Sequence, residues 1–137
     1  MKSTTIEDIQ IIDIPRIEDP RGNLAVIEKE VIPYEIKRVY YLYDVPSDAS
    51  RGGHAHIDQL ELLVAVSGSF TVVLDDGKEK TEVTLKKPNK GLLIPKGIWR
   101  ELDDFSSGSV CLVLSSGEFL EADYIREYDA FLSYKND

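Results

Sequence analysis

The sequence predicts an all-β domain with one short helix near its C-terminus. Short runs of apolar, β-branched and aromatic residues recur along the chain and are separated by turn residues, which is typical of a sandwich or a small barrel. No internal repeat, low-complexity segment or Pro/Gly/Ser-rich linker interrupts this pattern. The chain has 137 residues, so residues 1–137 are predicted to form a single domain that buries its own core.

Eight runs predict strands. They lie around Ile9–Ile14, Asn23–Glu28, Lys37–Tyr43, Gln59–Ser67, Ser69–Leu74, Glu82–Lys86, Gly91–Ile94 and Val110–Ser115. The segment Asp75-Asp76-Gly77-Lys78 predicts a tight hairpin, because Asp-Gly tolerates the positive φ angles that such turns need. Further turns are predicted at Pro20-Arg21-Gly22, Pro46-Ser47-Asp48 and Pro88-Asn89-Lys90-Gly91.

The hydrophobic period changes near the C-terminus. Aromatic and leucine residues recur there at a spacing of three to four, at Phe119, Leu120, Tyr124, Tyr128, Phe131 and Leu132. This spacing predicts a short amphipathic helix over Asp123–Leu132. We expect the helix to cover the open end of the barrel rather than to bind a partner.

The charge and the cysteine content exclude several classes of partner. Sixteen Lys and Arg face 25 Asp and Glu, for a net charge of −9, so nucleic-acid binding is disfavoured, while a local cluster of arginines can still hold a small anion. No apolar run approaches the roughly 20 residues of a membrane helix, and Met1 to Ile12 lacks the features of a secretory signal. Because Cys111 is the only cysteine, no internal disulfide can form, and we expect a cytoplasmic protein without a membrane partner.

Both histidines of the chain lie in Arg51-Gly52-Gly53-His54-Ala55-His56. Side chains at i and i+2 of a strand share a face, so the two imidazoles are predicted to point the same way. A lone histidine is more often structural, but two that follow a flexible Arg-Gly-Gly indicate a site. Imidazole suits proton transfer near neutral pH and is also a common metal ligand.

The spacing continues into two longer motifs. His54-x-His56-x4-Glu61-x6-Gly68 matches the first motif of the cupin superfamily, whose fold is a jelly-roll β-barrel. Gly91-x3-Pro95-x-Gly97-x2-Arg100 resembles the second cupin motif, with Arg100 where metal-binding cupins carry a further histidine. His54, His56 and Glu61 could still form the two-histidine, one-carboxylate set that holds iron. A guanidinium beside them would repel a divalent cation, so we expect no metal and no other cofactor.

The remaining candidates are aromatic and cationic. In the strand around Lys37–Tyr43, Arg38 and Tyr40 share one face, while Tyr41 and Tyr43 share the other. Two of the three tyrosines are expected to pack in a sandwich layer, and the third is a candidate for a hydroxyl in the barrel mouth. Trp99 is either a core residue or a stacking platform, and its spacing does not decide between them.

Taken together, these segments resemble the sugar-nucleotide 3,4-ketoisomerases, the WxcM-like branch of the cupins. The resemblance extends over nearly the whole chain. Its segments are Asp19-Pro20-Arg21-Gly22, Ile36-Lys37-Arg38-Val39-Tyr40-Tyr41, Arg51-Gly52-Gly53-His54-Ala55-His56, Val66-Ser67-Gly68-Ser69, Leu74-Asp75-Asp76-Gly77, Asp104-Phe105-Ser106-Ser107 and the stretch from Asp123 to Phe131.

The resemblance implies a specific activity. Enzymes of this family move the carbonyl of dTDP-4-keto-6-deoxy-D-glucose from C4 to C3 without a metal, for the synthesis of 3-amino-3,6-dideoxy sugars, and they are homodimers that exchange N-terminal strands. By position, the resemblance makes His54 and His56 the proton-shuttling pair. It places Tyr40, Arg21 and Arg51 around the sugar and diphosphate, and it matches Trp99 to a tryptophan near the second motif. Arg38 and Arg100 complete the cationic candidates, and Arg100 departs from the histidine that is frequent in the family.

Two other readings remain open. A cupin that epimerises a dTDP-sugar at C3 or C5 also needs a base and a tyrosine acid. A non-catalytic sugar-binding cupin, or an iron enzyme that uses His54, His56 and Glu61, is the third possibility. Product analysis separates the ketoisomerase from the epimerase, because epimerisation leaves the ketone at C4.

Overall fold

The computed structural model describes residues 3–136, and almost all of its regular structure is β-strand. Its strands are β1 (Gln10–Asp13), β2 (Arg16–Ile17), β3 (Leu24–Ala25), β4 (Arg38–Leu42), β5 (Arg51–His56), β6 (Glu61–Ser67), β7 (Phe70–Asp75), β8 (Lys80–Leu85), β9 (Lys90–Ile94), β10 (Trp99–Asp103), β11 (Val110–Ser115) and β12 (Tyr124–Ile125). Its helices are two 3-10 turns, Ile6–Asp8 and Glu121–Asp123, and α1 (Tyr128–Asn136). Within the described range, no helix is long and apolar enough to cross a bilayer.

The strands form two antiparallel five-stranded sheets and a separate ribbon. One sheet has the order β1-β9-β6-β11-β4, the other has the order β12-β5-β10-β7-β8, and β2 pairs with β3. The main core lies between the two sheets, where Leu63 and Val113 of the first meet Phe70, Val72 and Leu102 of the second. This arrangement confirms the all-β prediction with one short C-terminal helix.

Six of the eight predicted strands appear close to their predicted bounds, and the β7–β8 hairpin forms around Gly77, whose φ is +95°. The run around Asn23–Glu28 gives only the two-residue strand β3. The run around Gln59–Ser67 begins at Glu61, because Gln59 and Leu60 instead bond to the loop that follows β11. Strand β10 was not predicted, since Pro95 and Gly97 precede it and charged residues interrupt its apolar pattern.

The predicted helix over Asp123–Leu132 is wrong in its start and in its place. Asp123 ends a 3-10 turn, β12 follows, and α1 begins only at Tyr128. The ring of Phe131 packs with Ala55 and Trp99, so the helix covers the outer face of β5 and β10 and does not close the end of the barrel. The apolar residues of this segment do recur with a helical period, but Tyr124 and Ile125 at its start form β12 and pair with β5 instead.

The tyrosines of β4 also differ from the prediction. Two of the tyrosines were expected in a packed layer. Tyr41 and Tyr43, which directly follows the strand, are instead 59% and 61% exposed, and their rings lie 5.9 Å apart on the surface. The inward face of the strand carries Tyr40 and Leu42, which pack against the main core. Strand β4 is the last strand of its sheet, so one of its edges has no partner strand within residues 3–136, and Val39 and Tyr41 are exposed on its outer face.

Candidate active site

A cavity of about 570 Å³ opens between the two sheets. Strands β4, β5, β6, β10 and β11 contribute inward-facing residues to its wall, and the segment after Asp123 closes one side. Four arginines reach this wall: Arg38, Arg51, Arg100 and Arg126. A chain with a net charge of −9 therefore concentrates positive charge at one concave place, which suits an anionic ligand.

The two histidines face each other at the wall of this cavity. Strand alternation places His54 and His56 on one face, as the sequence predicted. The structure turns that face inward and sends Ala55 to the outer core. The Nε2 atoms of the two rings are 3.2 Å apart, and the rings meet edge to face. His54 lines the cavity, whereas His56 is completely buried behind it.

A buried carboxylate contacts the far side of His56. Nδ1 of His56 lies 2.9 Å from Oδ2 of Asp123, at the end of the second 3-10 turn. The same carboxylate accepts hydrogen bonds from the backbone amides of Asp58 and Gln59. The loop after β5 and the turn before β12 thereby fix Asp123 against the histidine.

Glu61 lies at the centre of the polar groups. Its Oε1 is 2.9 Å from Nη1 of Arg100 and 3.4 Å from Nε2 of His56. Its Oε2 accepts hydrogen bonds from the hydroxyls of Tyr40 (3.0 Å) and Ser115 (2.5 Å). The first residue of β6 therefore connects the histidine pair to the tyrosine.

Burial and charge shift the ionisation of these groups. Burial alone would raise the pKa of Glu61, but its contacts with His56 and Arg100 hold it below its usual range. Burial, followed by the charge of Arg100, lowers the pKa of His54 to about 2. Burial, followed by the charge of Glu61, raises the pKa of Tyr40 well above its usual value. At neutral pH the site thus holds an ionised Glu61, a neutral His54 and a protonated Tyr40.

The register of the sheet sets the position of Arg100. Arg100 pairs with His54 across β10 and β5, and the pairing is irregular between Arg100 and Leu102. Its guanidinium also donates to the carbonyl of Ile98 and is almost completely buried. Arg100 therefore occupies the position that the second motif predicted and is held there by Glu61.

The donor set of His54, His56 and Glu61 does not fit a divalent metal ion. Their ligand atoms lie within 4.8 Å of one another, so the spacing alone would allow one. Both oxygens of Glu61, however, are taken by Arg100, Tyr40 and Ser115. A permanent positive charge 2.9 Å from the carboxylate opposes a second cation there.

The structure brings most of the predicted residues together. Those that line the cavity are Arg38, Tyr40, Arg51, His54 and Arg100, with His56 directly behind them. Arg38 donates to the hydroxyl of Tyr124 and to Gln59, and its guanidinium lies over the Tyr40 ring. The guanidinium of Arg51 has no hydrogen bond or ion pair with the other described residues.

Two predicted residues lie elsewhere. Trp99 is buried against Tyr128 and Phe131 on the outer side of β10, and its indole donates to Glu101. Of the two predicted roles, it is therefore a core residue in its own chain and not a stacking platform. Arg21 lies in the turn between β2 and β3, where its side chain is 90% exposed and pairs with Asp19. Neither residue lines the cavity of its own chain.

Sequence reasoning missed Asp123, Tyr124 and Arg126 as site residues. All three fall in a segment that was interpreted as helix, where a carboxylate and an arginine resemble ordinary surface residues. In the structure, Tyr124 packs on both histidines, and Arg126 stacks on Tyr124 with 4.1 Å between guanidinium and ring centre. The pairing of β12 with β5, which no local pattern indicated, brings them to the site.

Comparisons with known proteins agree on one family. Residues 7–136 match the family described as FdtA: WxcM-like, C-terminal. A TDP-4-oxo-6-deoxy-alpha-D-glucose-3,4-oxoisomerase from Aneurinibacillus thermoaerophilus is 44% identical over 126 residues, which cover 91% of each chain.

Solved structures give the same result. A 3,4-ketoisomerase from Helicobacter canadensis is 44% identical with a TM-score of 0.92, over 95% of this chain and 98% of the other. A mutant of the 3,4-ketoisomerase QdtA from Thermoanaerobacterium thermosaccharolyticum, in complex with TDP-4-keto-6-deoxyglucose, is 36% identical with a TM-score of 0.94, over 96% of both chains. The chain is therefore a cupin-fold protein that belongs to the FdtA (WxcM-like) family of sugar-nucleotide 3,4-ketoisomerases.

Proposed function

We propose that this protein is an isomerase that moves the keto group of dTDP-4-keto-6-deoxy-D-glucose from C4 to C3, in the synthesis of dTDP-3-amino-3,6-dideoxy sugars. The observation that carries the proposal is the histidine pair, in which neutral His54 lines a cationic cavity and His56 supports it from behind. The substrate follows the relatives, which are named for this reaction or hold this sugar nucleotide.

The reaction needs a base near the sugar carbons. A base removes the proton from C3, next to the C4 ketone, and the electron pair of that C–H bond forms an enediolate. A proton then returns to C4, and the hydroxyl proton moves from O3 to O4, which leaves the ketone at C3. His54 is the base in this proposal, because it is neutral and lines the cavity, and neither transfer requires a metal or a redox cofactor.

The oxygens of the sugar also exchange protons and charge. Tyr40 stays protonated across the neutral pH range, and it donates its one hydroxyl hydrogen to Glu61 in the free protein. In the proposed reaction that hydrogen turns from Glu61 to the developing oxyanion of the sugar. Arg100 provides positive charge at the same end of the cavity.

We assign the binding of the diphosphate to Arg51 and Arg38. Arg51 is exposed at the mouth and makes no competing ion pair among the described residues, so its guanidinium is available for a phosphate. Arg38 lies deeper, where Tyr124 and Gln59 hold it. Trp99 supports β10 from the outer side in this assignment and does not touch the nucleotide.

The same proposal includes a homodimer with exchanged N-terminal strands in the cytoplasm. Ribbon β2–β3 is exposed and carries apolar Ile17 and Leu24, while β4 has an uncovered outer edge with exposed Val39 and Tyr41. An unpaired strand edge next to exposed apolar side chains favours pairing with a strand of a second copy. In such a dimer, Arg21 at the ribbon turn belongs to the cavity of the partner.

Proton NMR of dTDP-4-keto-6-deoxy-D-glucose with the protein in deuterated water tests the activity. A 3-keto product supports the proposal, and the C4 coupling reports the configuration of that product. A ketone that stays at C4 with deuterium at C3 or C5 would mean epimerase chemistry instead. Saturable nucleotide binding with an unchanged sugar would mean a binding protein.

A further inference from the structure

The protonation of His56 is set by a group that has no access to the cavity. Nδ1 of His56 lies 2.9 Å from Oδ2 of Asp123, and a carboxylate only accepts hydrogen bonds, so the hydrogen is on Nδ1. Nε2 of His56 then presents a lone pair, which faces Nε2 of His54 at 3.2 Å. Oε1 of Glu61 lies 3.4 Å from the same nitrogen, but the guanidinium of Arg100 holds that oxygen at 2.9 Å. Both His56 and Asp123 are buried, at 0% and 4% exposure, so solvent does not compete for these contacts.

The carboxylate of Asp123 is itself held in place. Its Oδ1 accepts from the amide of Asp58 at 2.7 Å, and its Oδ2 accepts from the amide of Gln59 at 3.3 Å. These two backbone donors hold the carboxylate in one orientation. Asp123 is therefore built as a hydrogen-bond acceptor for His56.

His54 has the complementary arrangement. Its Nδ1 lies against the carbonyl oxygen of Gly52, which also only accepts, so the hydrogen of neutral His54 is on Nδ1. The two rings therefore share one remaining proton position, between their Nε2 atoms. That position is filled when the pair takes up a proton.

We propose that Asp123 is a positioning residue for the isomerisation, and that it acts through His56 to make the proton position between the two histidines available. This inference rests on the proposed function and deepens it. The proton that leaves C3 becomes bound between the Nε2 atoms, while the electrons of the C–H bond stay in the enediolate. The carboxylates of Asp123 and Glu61, which flank His56, stabilise the added positive charge until the proton returns to C4.

The wild-type protein gives a direct test, because the chain contains only two histidines. Long-range proton–nitrogen NMR correlations of ¹⁵N-labelled protein distinguish protonated from unprotonated ring nitrogens, and a His54→Asn spectrum assigns the signals. We expect His56 with a protonated Nδ1 and an unprotonated Nε2. A His56 that carries its proton on Nε2 alone overturns the proposal, and so does a His56 protonated on both nitrogens, with Glu61 holding the second proton, whatever the activity of the protein.

The Asp123→Asn variant tests the consequence. The amide of Asp58 at 2.7 Å requires an acceptor, so the Asn oxygen stays there and its NH₂ group faces Nδ1 of His56. His56 must then move its proton to Nε2, where it occupies the shared position. We expect kcat to fall by a factor on the order of 10²–10⁴ with KM nearly unchanged, together with a reversed pattern of His56 nitrogen signals.

The matched control is Asp58→Asn, which alters the exposed side chain of the neighbouring residue and leaves its backbone amide in place. It should keep the wild-type kcat and nitrogen signals. If Asp123→Asn keeps wild-type turnover, or loses turnover without a change in the His56 signals, the positioning role is wrong. A wild-type protein that shows the expected His56 signals but does not convert the sugar contradicts the proposed function instead.

Discussion

Arg100 and Glu61 form an ion pair beneath the histidine pair, with 2.9 Å between Nη1 of Arg100 and Oε1 of Glu61, and both side chains are almost fully buried. A buried pair of this kind contributes little net stability compared with an apolar pair, but the loss of one partner leaves an uncompensated charge in the core. The pair therefore makes the stability of the barrel dependent on the same residues that shape the site.

Arg100→Met should destabilise the protein strongly. The change leaves the Glu61 carboxylate buried without its cation, at a cost of about 3–5 kcal/mol in the free energy of unfolding. Urea denaturation of the variant and of wild type measures the difference. The double variant Arg100→Met with Glu61→Gln should recover part of it, and a double variant that is no more stable than the single one contradicts this account.

His54→Asn should remove most of the activity and leave substrate binding in place. The variant keeps a polar side chain of moderate size but has no basic nitrogen, so kcat should fall by a factor on the order of 10²–10⁴ while KM changes little. Steady-state kinetics with NMR detection of the 3-keto product checks both constants. A variant with wild-type turnover would remove His54 from the proposed chemistry.

The stability of the protein should fall with pH in a way that depends on His54. The pKa of this residue is lowered to about 2 in the folded state, against a usual value near 6.5. Between these pH values the unfolded chain binds a proton that the folded chain does not, so unfolding becomes easier as pH falls. The dependence is at most about 1.4 kcal/mol per pH unit.

Urea unfolding at several pH values from 7 down to 4 measures this dependence. In His54→Asn this contribution is absent. The wild-type protein should therefore lose free energy of unfolding relative to the variant as pH falls below roughly 6.5. Glu61 titrates in both proteins and cancels in the comparison to a first approximation. A difference that is constant over this range would show that His54 titrates normally in the folded protein.

Arg51→Ala should weaken substrate binding. A charge-assisted hydrogen bond to phosphate contributes about 1.5–3 kcal/mol, so KM should rise about 10–100-fold with a smaller change in kcat. Lys86→Ala removes one positive charge from an exposed position outside the cavity and should leave KM unchanged. A fall in kcat alone would instead assign Arg51 to the stabilisation of the enediolate.

Tyr41→Arg should disrupt the proposed homodimer. The change places a charge on the uncovered apolar face of β4, where the second copy is expected to pack. Light scattering after size-exclusion chromatography should show a dimer for wild type and a larger monomer fraction for the variant. Glu82→Arg, on the exposed edge of the other sheet, is the control and should remain dimeric. A monomeric wild type contradicts the proposal.

Local patterns predicted the fold class and the face of the histidines well. Alternation on a strand is a local property, so the shared face of His54 and His56 followed from their spacing alone, whereas its inward direction depends on how the two sheets pack. Spacing also brought Glu61 and Arg100 into the candidate set, although their direct contact depends on the packing of β6 against β10 across the core.

The rest of the site depends on contacts between distant parts of the chain. Asp123 contacts His56 although 67 positions of sequence separate them. The ring of Tyr124 packs on the histidines only because β12 pairs with β5. A hydrophobic period cannot show that its first residues will join a sheet. The exposure of Tyr41 follows from the position of β4 at the end of its sheet, which is likewise a property of the assembled fold.

Ala55 lies between the two histidines and points away from them, into the small core formed with Trp99 and Phe131. The spacing of the imidazoles thus depends on a helix that ends near the C-terminus and contributes no residue to the cavity wall. A truncation or fusion that removes the packing of α1 is, in effect, an alteration of the proton-transfer machinery. Inactivating substitutions should therefore be found in α1 as well as among the residues that touch the sugar nucleotide.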